Sequence, residues 1–175
     1  KPNSGHGPTI RQGYERAESD WVLQIDSDDE IAPGEFPKLW TARIDADFVI
    51  GRRLHRQAPL VRRMITRLES VLIMALFGGR VRDVNIPFRL IRRGPLRRML
   101  RVIPSDAFAP NVLMTALAHR HRLQVHEVPV VHEGRATGEV SIKKWKLFKA
   151  CMKAFADLLA LGVGLPRARG ALNRR

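Results

Sequence analysis

The densest chemistry in the chain is Asp26-Ser27-Asp28-Asp29-Glu30, four carboxylates within five residues. Such a run repels itself unless it is solvated or shares a cation. On extended backbone Asp26 and Asp28 point the same way, so the pair suits one hard divalent ion, which can in turn hold a diphosphate. Neutralising a diphosphate leaving group in this way stabilises a transition state by several kcal/mol, an order-of-magnitude expectation for metal catalysis. The competing reading of the same residues is a solvated acidic loop, or a cap ahead of the helix that Pro33 opens. A second cluster is Gly51-Arg52-Arg53, followed by Arg56, Arg62 and Arg63. Arginine forks recognise phosphate oxygens in pairs, and Arg62 and Thr66, four apart, share a helix face. Taken singly, most of these arginines read as a solvated basic face. A third is His132-Glu133-Gly134-Arg135-Ala136-Thr137-Gly138-Glu139-Val140-Ser141-Ile142-Lys143, whose glycines and cations suit a loop closing over an anion, or an ordinary surface loop.

The elements that must position these groups follow from the apolar pattern. Ile10, Tyr14 and Ala17 recur at helical spacing after Pro8. Trp21-Val22-Leu23-Gln24-Ile25 reads as a buried strand. A Pro-started helix with Phe36, Leu39, Trp40 and Ile44 on one face follows, then a strand at Asp47-Phe48-Val49-Ile50-Gly51. Strand, helix, strand over this span predicts a βαβ unit with parallel strands. A long amphipathic helix from Leu60 stops at Gly78-Gly79. A strand lies within Val84 to Ile91, interrupted by Pro87. An Arg-rich helix runs from Pro95 to Val102, another helix from Pro110 to His119, and a strand from Leu123 to Val131. The last helix, Ile142 to Leu161, spaces Ile142, Trp145, Phe148, Met152, Phe155 and Leu159 by three or four, with lysines between. That pattern predicts either packing on the domain or docking on an anionic membrane surface.

Composition bounds the classes. The 175 residues are 45% apolar and carry a net charge of +14, enough apolar content for one cored α/β domain. The charge is segregated: residues 1–50 net −5, 51–101 net +12 and 102–175 net +7. An anionic partner is expected. A nucleic-acid module would explain the basic charge, but not an acidic pentad behind a strand, and one Tyr leaves little for base stacking. Cys151 alone excludes an internal disulfide framework, and the apolar runs at 71–79 and 158–166 are too short to span a bilayer.

Asn3-x-Gly5-x-Gly7, Arg11-x-Gly13, Trp21 through Asp29, and Phe48-Val49-Ile50-Gly51-Arg52-Arg53 together resemble the family 2 glycosyltransferases. The resemblance is to their dolichol-phosphate mannosyltransferase-like branch, the polyprenyl-phosphate glycosyltransferases. Val81-Arg82-Asp83, Phe88-Arg89-Leu90, Glu127-Val128-Pro129-Val130 and Arg135-x-x-Gly138 continue in the family's order, to about Phe155. The resemblance implies a GT-A fold, Rossmann-like, and inverting transfer from a nucleotide sugar to a polyprenyl phosphate, at the cytoplasmic face of the membrane. It implies Mg2+ or Mn2+ on Asp26, Asp28 and Glu30. It implies donor-phosphate contacts from Arg11, Arg53, Arg135, Ser141 and Lys143, and an acceptor-phosphate grip from Arg62 and Thr66. Asp83 takes the place of an acid near sugar and acceptor. Asn85-Ile86-Pro87-Phe88 replaces the family's usual Thr-Ser-Gly-Phe, and Gly138 to Lys143 is one residue longer than its Gly-x-Ser-Lys. The family's opening strands, with Pro-x-Tyr-Asn-Glu and Asp-Asp-Gly-Ser, have no counterpart here, so the expected GT-A domain (residues 1–140) is N-terminally incomplete. Residues 141–175 form a basic helix and tail. The alternatives are a polysaccharide acceptor, an inactive fragment, or a basic nucleic-acid-binding module.

Overall fold

The computed structural model describes residues 5–28, 30–54, 60–79, 81–132 and 144–164. For 60–63, 144–148, 150–151 and 163–164 it describes the backbone. Ten main elements follow in the order α1 (His6–Arg16), β1 (Trp21–Ile25), α2 (Phe36–Ala42), β2 (Phe48–Leu54), α3 (Leu60–Phe77), β3 (Phe88–Arg92), α4 (Arg93–Leu100), α5 (Pro110–Arg120), β4 (Val125–Val131) and α6 (Lys144–Gly164). A single 3-10 turn, Pro33–Glu35, leads into α2.

The apolar run 48–51 forms the centre of the sheet, because Phe48, Val49 and Ile50 are buried whichever side they face. The strand order is β1-β3-β2-β4. β1 and β2 both run antiparallel to β3, and β2 runs parallel to β4. The predicted β1–α2–β2 unit therefore keeps its parallel direction, but β3 lies between its strands. β1 also differs from a fully buried strand. Val22 and Gln24 turn inward while Leu23 and Ile25 stay exposed, the one-sided alternation of a strand at the edge of the described sheet.

α2 packs on β2, β3 and β4. Its predicted face is only half used, since Leu39 is buried while Trp40 and Ile44 are exposed. α5 is buried from Pro110 to Ala118 and touches α1, α3, α4 and α6, so it is the helical centre. α3 ends at Gly78, whose φ of 73° is the left-handed stop that glycine tolerates, and whose N–H donates to the Met74 carbonyl at 3.0 Å. Gly79 is required by close approach, since a Cβ there would sit 1.8 Å from the His119 ring.

α6 carries two apolar faces. Ala154, Leu158 and Leu161 are buried against the domain, and Met152 and Leu159 face outward. The helix packs on α3 and α5, and Lys153 pairs with Asp106 at the exposed surface. On α3, Met64, Leu68 and Val71 form an exposed stripe at helical spacing. Among the described residues no helix is long and apolar enough to cross a membrane.

Candidate functional site

The sheet brings four segments to one end. Ile25 pairs with Phe88, so the loop leaving β1 at Asp26 lies beside the 83–87 segment entering β3. Arg53 pairs with Val130, which places the end of β2 beside the end of β4 and His132. Gly51 makes this convergence possible. A Cβ there would come within 3.2 Å of Ile86, Phe88 and the Phe88 carbonyl, so the 83–88 segment packs directly on the β2 backbone.

At the centre is a two-pronged ion pair. Arg53 donates from Nε to Asp83 Oδ2 at 2.7 Å and from Nη2 to Asp83 Oδ1 at 2.8 Å. The two side chains are 10% and 6% exposed. Burial opposes the Arg53 charge. The Asp83 bonds and charge, with Glu30 and Asp28 beyond, outweigh burial and hold its pKa above the ordinary arginine value. Glu127 steadies the segment by accepting the Arg82 N–H at 2.7 Å and the Asp83 N–H at 3.3 Å. Behind it Arg89 is fully buried. It donates to the carbonyls of Ile86 (2.7 Å), Asn111 (2.8 Å) and Val84, and to Thr115 Oγ1 (3.2 Å). Burial brings Arg89 down to about 10, against the favourable charges of Asp83 and Asp26. It rivets the 84–86 segment to α5.

The acidic loop is partly sheltered. Burial raises the Asp26 pKa, and repulsion from Asp28 and Glu30 adds to this, while His6 and the Gln24 amide oppose it. Gln24 is itself fixed by Tyr14, whose hydroxyl donates to Oε1 at 2.6 Å. Asp28 Oδ1 accepts the Glu30 N–H at 3.4 Å, and Glu30 Oε2 lies 3.1 Å from His132 Nε2. The His132 side chain is 7% exposed and its Nδ1 is buried with no partner among the described residues.

Of the residues singled out by sequence, Asp26, Asp28, Glu30, Arg53 and Asp83 converge at this end. Thr66 is buried on α3, and Ser70 Oγ donates to its carbonyl at 3.0 Å. Arg62 lies in the first turn of α3, and its side chain is outside the described residues. Arg11 is turned to Glu15 (2.8 Å) and to the Ile103 carbonyl (2.6 Å), so α1 and the α4–α5 connection hold its guanidinium. Arg135, Ser141 and Lys143 lie outside the described residues.

Among the described residues no group of three or more His, Cys, Asp or Glu is gathered as a ready-made ligand set. One Glu30 oxygen, Oε2, lies against His132 Nε2 at 3.1 Å. The donor chemistry of Asp26 and Asp28 still fits a hard cation. Mg2+ commonly takes one or two carboxylates and completes its shell with water and substrate phosphates, and the mutual repulsion at Asp26 is what such an ion relieves.

His132, Glu127 and Arg89 also support the site, in contacts that their motifs alone do not specify. A signal for Arg89 was present. An arginine between Phe88 and Leu90 in an apolar strand is buried only if fully hydrogen-bonded. His132 heads the glycine-bearing loop, but its meeting with Glu30, 102 residues away, has no local signature.

Residues 1–100 match the model of the family described as Glycosyl transferase family 2. The undecaprenyl-phosphate 4-deoxy-4-formamido-L-arabinose transferase of Yersinia enterocolitica is 27% identical over 146 residues, 83% of this chain and 43% of that protein. The protein of the same name from Aeromonas hydrophila is 30% identical over 78% of this chain and 41% of its own length. The undecaprenyl-phosphate mannosyltransferase of Micrococcus luteus is 30% identical over 74% of this chain and 56% of its own. The chain thus spans about half the length of the curated relatives it matches. Among solved structures, glucosyl-3-phosphoglycerate synthase from Mycobacterium tuberculosis, in complex with Mn2+, UDP and glucosyl-3-phosphoglycerate, superposes with a TM-score of 0.64. The identity is 19%, and the match covers 93% of this chain and 56% of that one. At that identity the likeness speaks to fold alone.

Proposed function

The chain belongs to glycosyl transferase family 2 and has the GT-A fold, and on that premise we propose that it forms the metal-binding and phosphate-gripping part of an inverting glycosyltransferase. The protein would move a sugar from a nucleotide-diphosphate sugar to a polyprenyl phosphate. The observation that carries this reading is the meeting of the Asp26–Asp28 loop with the Arg53–Asp83 pair at one end of the sheet. The names of the undecaprenyl-phosphate transferases it matches support the acceptor class.

The chemistry asks little proton transfer of the protein. An acceptor phosphate is already an anion, so its oxygen attacks the anomeric carbon as the bond to the diphosphate breaks, and the nucleoside diphosphate departs. The task is to hold two anions together against their repulsion. Asp26 and Asp28 would hold Mg2+ or Mn2+, whose chemistry there is neutralisation of the departing diphosphate. Arg53 presents its guanidinium beside them, oriented by Asp83, and becomes a phosphate ligand by exchanging part of that pairing. Glu30, turned to His132, braces the acidic loop against β4. Arg62 and Thr66 are assigned to the acceptor phosphate. Arg11, Arg135, Ser141 and Lys143 are assigned to the donor side.

We place the protein at the cytoplasmic face of the membrane. The outward apolar residues Met64, Leu68 and Val71 of α3, with Met152 and Leu159 of α6, support contact with an anionic bilayer surface. They lie on, or pack beside, the helix assigned to the acceptor.

The test is a transfer assay with the protein, a panel of nucleotide sugars and undecaprenyl phosphate. Release of nucleoside diphosphate together with a sugar-bearing lipid phosphate is expected. Transfer to a polysaccharide and not to lipid phosphate would move the acceptor class. Arg62→Ala should raise the acceptor's apparent KM more than the donor's, and equal effects would remove Arg62 from the acceptor site.

A further inference from the structure

At the other end of the sheet lies a feature the proposed transfer does not use. β3 runs straight into α4, so Arg92 closes the strand and Arg93 opens the helix. The inner side of α4 buries Leu96, Met99 and Leu100. Helical spacing then sets Arg93, Arg97 and Arg101, four apart each time, in one outer stripe. The pairing of Trp21 with Arg92 brings the indole alongside. Together with Asp20, these residues line a cleft of about 720 Å³.

Among the described residues only two carboxylates lie within 4.0 Å of these four arginines. Arg92 lies over the Trp21 ring at 5.2 Å and 4.0 Å from Asp47. Arg93 donates to the Glu18 carbonyl and lies 3.5 Å from Asp20. Arg97 donates to the Ala17 carbonyl at 3.4 Å. The Arg101 guanidinium makes no hydrogen bond or ion pair among the described residues, and the Arg101 residue is exposed. Four guanidiniums thus face one lining carboxylate in a concave space. Main-chain carbonyls orient the forks but bring no compensating charge.

We propose that this cleft binds a ligand carrying at least two clustered phosphoryl groups, separately from the carboxylate site. Paired forks suit phosphate oxygens. The space exceeds what one phosphate fills, and the excess of positive charge asks for more than one negative group. The five-residue strands β1 and β3 separate the two ends of the sheet by about 13 Å, at about 3.3 Å per residue, so one small ligand does not serve both. The clustered phosphates are those of a soluble diphosphate or of a lipid headgroup.

The test is a titration of the protein with inorganic diphosphate in about 0.15 M salt, where the Debye length is about 8 Å and diffuse attraction is screened. The indole N–H resonance of Trp21, assigned with Trp21→Phe, is the readout. A saturable shift is expected, weakened about tenfold or more by Arg97→Ala with Arg101→Ala, as the loss of two charge-assisted contacts requires. Asp28→Ala should leave it unchanged. Arg97 lies on the outer face of α4 and the exposed Arg101 just past its end, and circular dichroism checks that the variant folds. Arg101→Glu alone should also weaken binding. In a parallel arm, the wild type and the double variant are floated with phosphatidylcholine vesicles with and without cardiolipin. Binding of cardiolipin vesicles lost in the double variant, with no response to diphosphate, assigns the ligand to a headgroup. A diphosphate response assigns it to a soluble ligand. Insensitivity of both arms to the double variant, or a Trp21 shift abolished by Asp28→Ala instead, overturns the site.

Discussion

Replacing Asp83 by Asn tests the part of the site on which the rest leans. The change keeps the side chain's shape and removes one charge. Arg53 then stays buried at 10% exposure with two hydrogen bonds, at 2.7 and 2.8 Å, lost or weakened. Removing one partner of a buried pair costs about 3–5 kcal/mol. The lower end applies here, because Glu30 and Asp28 still favour the Arg53 charge. A loss of about 3 kcal/mol is therefore expected, roughly a hundredfold in the folded-to-unfolded ratio. Urea unfolding followed by circular dichroism measures it. A cycle of Asp83→Asn, Arg53→Met and the double variant should show a coupling of about 2 kcal/mol. The double variant should recover part of the loss, since it leaves no buried charge unpaired. A single-variant loss below about 0.5 kcal/mol, with coupling equally small, would mean that solvent screens the pair. The claim that it braces the site would then fail.

Three further outcomes follow from the same geometry. Asp28→Ala should abolish sugar transfer while the melting temperature stays close to wild type, and a wild-type transfer rate would remove Asp28 from the metal site. Asp26→Asn should stabilise the fold at neutral pH by less than about 1 kcal/mol, a bound set by partial exposure of the loop. Its folded pKa is raised above the unfolded value, so ionisation weakens the fold as pH rises through that window. The gain should therefore disappear in melts below pH 3.8, the unfolded value, where Asp26 is protonated in both states. Gly79→Ala forces a Cβ to 1.8 Å from the His119 ring. It should cost about 1–3 kcal/mol by thermal melt, as overpacking does, and an unchanged melt would contradict the α3–α5 contact.

Much of this molecule is local and was legible as such. The α1, α3, α4, α5 and α6 periodicities, the glycine stop at Gly78 and the acidic loop behind Trp21–Ile25 are set by neighbours in sequence. Propensity, periodicity and glycine chemistry act over a few residues, so a single chain displays them. The family motifs also place Asp26, Asp28, Arg53 and Asp83 in order along the chain.

What the sequence did not display is which of them touch. The insertion of β3 between β1 and β2, the exposure of Leu23 and Ile25, and the turning outward of Trp40 and Ile44 depend on pairings between distant segments. The same holds for Arg53 meeting Asp83, Glu127 holding its loop, and Glu30 turning to His132. Hydrogen bonds and ion pairs of this kind act only at contact distance. Residues 30 to 102 positions apart reach that distance only once the sheet register has formed. By itself the sequence determined the residue types and the local elements that carry them. The tertiary structure decided which charges are paired and which are left to bind.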